Sequence, residues 1–322
     1  MSEADRDFSV VICAFTFDRW DTLVRAVASV RDQTLPAREI IVVIDGNEEL
    51  QRRAASELEG ATVTANVHGP GLCGGRQTGG EMACGTILAF LDDDAVADPD
   101  WLEELAAAYQ DPDVLGAGGL VEPMWLGMTP RWLPAEFNWI VGCTYAGLPQ
   151  EAGRIRNPIG ANMSMRSEVL RRTGSFEPQL SRTNRGKSIA GTCDDTEFCI
   201  RASRRHPGGY WVFLPRARVL HAVTPERATW RYFVRRCRIE GASKAILTGI
   251  TGRDDGLRSE RSYTRSVLPR AVARELGSAL RGHRAGVLRA GTIVAGLLLT
   301  AAAYAEGRAR ARWGAARHIP AT

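Results

Sequence analysis

The sequence predicts an open α/β fold whose mainly parallel sheet is flanked by helices, followed by a basic helical extension. Three observations carry this reading. Short apolar runs with almost no polar alternation recur at 8–15, 39–44 and 86–91, as in strands buried on both faces. Segments with helical spacing lie between them. Loops at 14–16, 45–47 and 92–94 fall at the ends of these runs, and open parallel sheets bind ligands at the carboxyl ends of their strands.

The first run, 8–15, is read as a buried strand. Residues 20–33 then place Leu23, Ala26, Val27 and Val30 on one helical face, and Pro36 closes that element. The β-branched stretch 39–44 is the second strand, 51–58 a short helix and 61–67 a third strand. Residues 76–84 read as a helix, and 86–91 as a fourth strand running directly into Asp92-Asp93-Asp94. Asp98-Pro99 reads as an N-cap with proline at the first helical position, opening a helix over 100–109. The alternation of strand and helix predicts a parallel sheet with crossovers.

The stretch 124–149 breaks this pattern. Trp125, Trp132, Phe137, Trp139 and Tyr145 lie among prolines and glycines with weak periodicity. It reads either as an irregular packed loop or as an aromatic-lined acceptor site or flap. From 227 onward the chain reads as helical and rich in arginine. The division expected is an α/β domain over 1–225 and a basic helical extension over 226–322.

Charge is distributed unevenly. The chain carries 41 Lys and Arg against 37 Asp and Glu, yet residues 201–322 hold 24 of the basic residues and 7 of the acidic ones. That excess suggests an anionic partner surface. Seven scattered cysteines without a CxxC pair suggest reduced thiols and a cytoplasmic location. The polar start, Met1 to Asp7, lacks the apolar core of a secretory signal.

Asp92-Asp93-Asp94 is the sharpest chemical signal. Adjacent carboxylates repel, and a divalent cation such as Mg²⁺ or Mn²⁺ compensates them while keeping positions for phosphate oxygens. A solvated acidic turn would show the same residues; the buried strand before them favours the cation. Asp45 also ends a strand, where it could accept from a nucleobase or simply form an Asp-Gly turn. Gly69 to Gly80 holds a nominal GxGxxG, but it follows the third strand, unlike the dinucleotide fingerprint. Arg76 in that stretch is suited to phosphate contacts. Asp194, Asp195, Phe198 and Arg201 fit the first turns of a helix, where a carboxylate could act as general base or merely cap. His221 is a structural histidine or an imidazole partner for Mn²⁺.

Taken in order, these pieces resemble glycosyltransferase family 2, inverting enzymes with the GT-A fold. The resemblance runs from Phe8 to His221. The strand and loop 10–16, with Ala14 and Thr16, resemble the family's nucleotide-contacting start. IIVVIDGN at 40–47 resembles the strand ending in Asp-Asp-Gly-Ser, with Ile44 in place of the first aspartate and Asp45 kept. Gly75-Arg76-Gln77 stands where Ala-Arg-Asn is common. Asp92 to Asp94 match the DxD motif, which implies Asp92 and Asp93 near the donor and Asp94 as a metal ligand with His221. Asp194-Asp195 match the Glu-Asp pair, which implies Asp195 as base and Asp194 on the acceptor side. Gly160, Ala161 and Asn162 match a Gly-Ala-Asn segment near the acceptor.

The resemblance implies a hexosyltransferase using Mn²⁺ or Mg²⁺ and a nucleoside-diphosphate sugar, a UDP-sugar being favoured. The acceptor would be a glycan or lipid-linked glycan of the cell envelope. Two other readings have less support. A nucleotidyltransferase would want glycine in the loop after strand one, and 14–19 has none. A non-catalytic membrane-associated scaffold that has kept the fold would keep its function after Asp195→Asn. In the extension, Trp230, Phe233, Val234 and Cys237 share a helical face among arginines, which fits either packing on the catalytic domain or contact with the inner face of the cell membrane. Residues 290–305 are apolar for 16 residues. That is short of the roughly 20 a span needs, so a buried or interfacial helix is expected, with an anchor as the alternative. No base-stacking module accompanies the arginines, so nucleic acid is not expected.

Overall fold

The structure, a computed structural model, describes residues 6–181 and 191–316. Strand β1 (Phe8–Ala14), helix α1 (Trp20–Arg31), β2 (Glu39–Ile44), α2 (Glu48–Glu57), β3 (Ala61–Ala65), α3 (Leu72–Met82) and β4 (Ile87–Asp92) follow one another, all four strands parallel. Then come β5 (Ala95–Ala97), α4 (Trp101–Ala106), β6 (Val114–Trp125), β7 (Gly153–Ile155), β8 (Asn162–Arg166), α5 (Ser167–Thr173), α6 (Asp194–Arg205) and β9 (Tyr210–Val223). The sheet order is β3-β2-β1-β4-β8-β6-β9-β5, with β7 on β9. β8 runs antiparallel to both β4 and β6, so the sheet is parallel up to β4 and mixed beyond it.

Successive side chains of β1 point to opposite faces. Val10 and Ile12 pack with Leu23, Val27 and Leu50 under α1 and α2. Val11 joins Val43, Phe90, Leu170 and Phe198 on the other face, under α3, α5 and α6.

Three helix starts differ from the sequence reading. α2 begins at Glu48, three residues before the 51 expected, because the Asn47 side chain caps it by accepting from Leu50 N. α3 begins at Leu72, four residues before Arg76, because Gly74, Gly75 and Gly79 are not helix breakers here but close-packing positions. A Cβ on Gly79 would lie 2.3 Å from Val11 Cγ1, so the helix approaches the sheet only because that atom is missing. The N-cap of α4 is Asp100, not Asp98; the Asp98 carbonyl accepts from Trp101 N at 3.0 Å, making 98–99 part of a turn. That helix tightens into a 3-10 turn over Ala107–Gln110.

The extension is α7 (Trp230–Thr251), α8 (Arg253–Gly256), α9 (Arg258–Ser262), α10 (Leu268–Leu280) and α11 (Ala285–Ala316). Phe233, Cys237, Leu268, Ala271 and Ile293 belong to the same apolar cluster as Phe8 and Val10. Phe137 packs against Phe233 with ring centroids 5.5 Å apart. By length and composition, Ala285–Arg312 of α11 could cross a membrane, so the helix is longer than the apolar core read from sequence.

Candidate active site

The first cluster forms where β4 gives way to β5. Asp92 is the last residue of β4, and Asp93-Asp94 make the turn. β5 pairs antiparallel with β9, Ala95 opposite His221, and Ala222 N donates to the Asp94 carbonyl at 2.7 Å. This register sets the imidazole over the aspartates. His221 Nε2 lies 3.1 Å from Asp94 Oδ1 and 3.9 Å from Asp92 Oδ2. One ligand atom from each of the three residues falls within 4.8 Å of the others.

These residues fit a divalent cation. Asp94 Oδ1 is buried yet makes no hydrogen bond of good geometry. Two carboxylates and an imidazole form a donor set suited to Mn²⁺, and less selectively to Mg²⁺. Gly142, at φ +83, stands 3.5 Å from His221 Cε1 by the position its Cβ would take, so a left-handed glycine borders the ring. Cys143 Sγ lies 4.0 Å from Nδ1.

Two arginines that sequence reasoning missed complete the cluster. Arg19 Nη1 lies 2.6 Å from Asp93 Oδ1 and 3.2 Å from Asp94 Oδ2. Arg227 Nη2 donates to Asp94 Oδ2 at 3.1 Å. Their only sequence signal was position, shortly after β1 and β9. Burial opposes ionisation of Asp94, but His221, Arg19 and Arg227 outweigh it and hold the carboxyl well below its usual range. Burial pushes Asp93 the other way, against the pull of Arg19. The Asp93 carboxylate is turned to Arg19, away from the cavity.

The second cluster opens α6. Cys193, at φ 74, is the one non-glycine residue with positive φ among the described residues, an uncommon conformation for a side chain. It turns the chain so that Asp194 and Asp195 begin the helix at the cavity. Asp195 Oδ2 accepts from Gly160 N at 3.0 Å, and Oδ1 accepts from Thr196 N at 2.6 Å and Thr196 Oγ1 at 3.2 Å. Each carboxylate oxygen has two acceptor sites, so Oδ2 keeps one for a ligand hydroxyl. Burial raises the Asp195 pKa, and the neighbouring Asp194 charge raises it further against Arg76.

Arg76 connects the two clusters. Its Nη1 donates to Asp194 Oδ2 at 2.8 Å, and its Nη2 donates to the Gly160 carbonyl at 2.9 Å while lying 3.9 Å from Asp92 Oδ1. A Cβ on Gly160 would stand 2.5 Å from that Nη2, so a larger residue there would push the guanidinium aside.

A cavity of about 640 Å³ joins the clusters. Asp92, Arg76, His221, Gly160, Ala161 and the Asp194-Asp195 pair all line it. Phe137, Trp139 to Cys143, Tyr145, and residues of α7, α9 and α11 also line it. The irregular stretch thus holds a 3-10 helix over Ala135–Val141 and borders the cavity.

Other sequence-predicted residues lie elsewhere. Ala14 and Thr16 sit at the end of β1, where the Ala14 carbonyl accepts from Asp45 N at 2.9 Å. Asp45 directly follows β2, with Oδ1 accepting from Asn66 at 2.8 Å and Oδ2 from Gly71 N at 2.9 Å. None of these three lines the cavity. Nor does Asn162. It is fully buried, accepting from Trp101 Nε1 at 2.8 Å and donating to the Ala217 carbonyl at 2.8 Å and the Leu120 carbonyl at 3.2 Å.

Comparison with known proteins agrees with this geometry. The model of glycosyl transferase family 2 matches residues 9–174. The glucosyl-dolichyl phosphate glucuronosyltransferase of Haloferax volcanii is 31% identical over 243 residues, 74% of this chain and 76% of that protein. Glycosyltransferase AglE of the same organism is 27% identical over 112 residues, 33% of this chain and 37% of the other. Among solved structures, GalNAc-T7 with UDP, GalNAc and Mn²⁺ has a TM-score of 0.50 at 20% identity, over 67% of this chain and 43% of that one; this likeness is one of fold. The chain belongs to glycosyl transferase family 2.

Proposed function

We propose that this glycosyltransferase moves a sugar from a nucleoside-diphosphate donor to a hydroxyl of a lipid-linked glycan, in one displacement that inverts the anomeric centre. The observation that carries the reading is Arg76, whose guanidinium reaches both the Asp92 cluster and the Asp194-Asp195 pair across one cavity. A donor diphosphate at the first cluster and an acceptor hydroxyl at the second would then meet within it.

Asp195 is the proposed base. Its raised proton affinity suits a group that must take a proton near neutral pH. As it does so, the hydroxyl oxygen forms the new bond to the anomeric carbon, and the bond to the diphosphate oxygen breaks on the opposite face. Asp94 and His221, with Asp92 beside them, would hold Mn²⁺ or Mg²⁺. That ion supplies positive charge against the leaving diphosphate. Arg76 adds a fixed cation at the same end. A lipid-linked acceptor is favoured because the Haloferax relative is named for glucosyl-dolichyl phosphate.

The test is a calorimetric screen of UDP-, GDP- and dTDP-sugars, UDP-glucuronate included, with Mn²⁺, Mg²⁺ or chelator. Turnover then follows on polyprenyl-phosphate-linked glycans. One donor should bind only with metal, and its product should carry the opposite anomeric configuration. Metal-independent binding of every donor, or a retained anomer, would defeat the assignment.

A further inference from the structure

The hairpin of α10 and α11 leaves an apolar face uncovered. Leu276 is 46% exposed, Leu280 91%, Val287 58%, Leu288 59%, Val294 47% and Leu298 63%. On α11 the exposed positions 287, 288, 291, 294, 298, 302 and 305 recur at helical spacing, and all are apolar or glycine. Nineteen residues of helix at ~1.5 Å each make this stripe roughly 28 Å long. Apolar patches of that size seldom go unused on soluble proteins.

The opposite face of α11 is fixed to the body. A Cβ on Gly296 would lie 2.3 Å from Phe137 Cε1, and one on Gly241 of α7 would lie 2.3 Å from the Thr300 carbonyl. Ala290 and Ile293 are buried. α11 therefore cannot cross a bilayer on its own without stripping Phe137 and Phe233 of their cover. It can present only its outer stripe.

Charge indicates what that stripe meets. No acidic residue occurs between Glu275 and Glu306. Within that interval Arg289 is turned inward, 2.6 Å from Glu275. The exposed Arg281 and Arg284 stand at the α10–α11 turn, and Arg308, Arg310 and Arg312 follow the stripe. An apolar helical stripe with arginines at its ends matches the interface of an anionic bilayer, the side chains in the acyl boundary and the guanidinium groups at the headgroups. Leu297, 36% exposed, also lines the catalytic cavity. We infer that the chain docks on an anionic membrane through the α10–α11 hairpin, lying flat on one leaflet, with the cavity opening beside the lipid.

The test is flotation of the full chain with vesicles of phosphatidylcholine alone or with about 30 mol% phosphatidylglycerol. Wild type should float with the anionic vesicles. The double variant Leu288→Glu/Leu298→Glu should float at least about tenfold less, with an unchanged melting temperature. Leu280→Glu, at the outermost position, gives a second reading should the double variant fold poorly. Arg281→Glu/Arg284→Glu should lose the preference for anionic lipid. The proposal fails if wild type ignores both vesicles, or if the glutamate variants float like wild type. It fails equally if light scattering shows a dimer that Leu288→Glu/Leu298→Glu splits, since a second copy would then cover the stripe. Donor binding in free solution is measured separately, so either result leaves the catalytic reading to its own test.

Discussion

Two acidic clusters face one cavity and differ in almost every physical respect. Asp94, in the turn after β4, lies among His221, Arg19 and Arg227, and those cations hold its carboxyl ionised despite burial. Asp195, at the head of α6, has backbone and hydroxyl donors and a like-charged neighbour, and its proton affinity is raised. The same side chain thus has its proton affinity lowered in one place and raised in the other. When environments push two carboxyls apart in this way, they mark which group holds charge and which moves a proton.

The comparison breaks most readily at Asp195. Asp195→Asn keeps the size of the side chain but cannot take a proton, and its amide nitrogen no longer accepts from one of the two backbone N–H groups; turnover should fall about 10²–10⁴-fold, with donor affinity by calorimetry unchanged. Equal losses in both measurements would make Asp195 a binding residue. Next comes Asp94→Ala, which should weaken Mn²⁺-dependent donor binding at or beyond the roughly 10–100-fold typical of outer partners of metal ligands. Titration with and without Mn²⁺ reads this directly. Unchanged metal dependence would move the ion elsewhere.

A smaller effect sharpens the comparison. As the proposed base Asp195 must be ionised to act, and burial and Asp194 raise its pKa above the ordinary 3.8. The rate should therefore rise with pH along an acid limb whose midpoint is higher than a free aspartate would give. Asp194→Asn removes the like charge that raises it and frees Arg76 to lower it further. The limb in kcat/KM should shift to lower pH, and a limb that stays in place would assign it to another group. The smallest effect concerns stability. Asn162→Ala leaves Trp101 Nε1 and two carbonyls unpaired, a loss of about 1–3 kcal/mol, visible as a lower melting temperature. A changed acceptor KM at constant stability would return Asn162 to the acceptor side.

What could be read in the sequence follows from how local each signal is. β1, β2 and β4 are buried on both faces, so their apolar runs stand out without tertiary information. Helix α1 shows its buried stripe for the same reason. β6, β8 and β9 do not stand out, because glycines and polar residues such as Asn162 and Ser164 are paid for by distant partners. The start of α3 was hidden since its glycines serve packing rather than chain flexibility. In the site, paired or motif-like residues such as Asp92, Asp94 and Asp195 could be picked out. Arg19 and Arg227 could not, as a single arginine near a strand end resembles any surface arginine until folding sets it against Asp94. Gly142 likewise owes its place beside His221 to the close of a 3-10 helix that no periodicity announces.

Arg76 imposes a thermodynamic constraint on these two clusters. It lies against Asp194 and within 3.9 Å of Asp92 at once. A negative ligand arriving beside Asp92 competes for the charge that Asp194 and Asp195 also feel. Whatever that ligand does to the proton affinity of Asp195, protonation of Asp195 must do in return to the ligand's affinity, by the same factor. Occupation of one end of the cavity and readiness of the proposed base at the other are, through this side chain, two expressions of one coupling free energy.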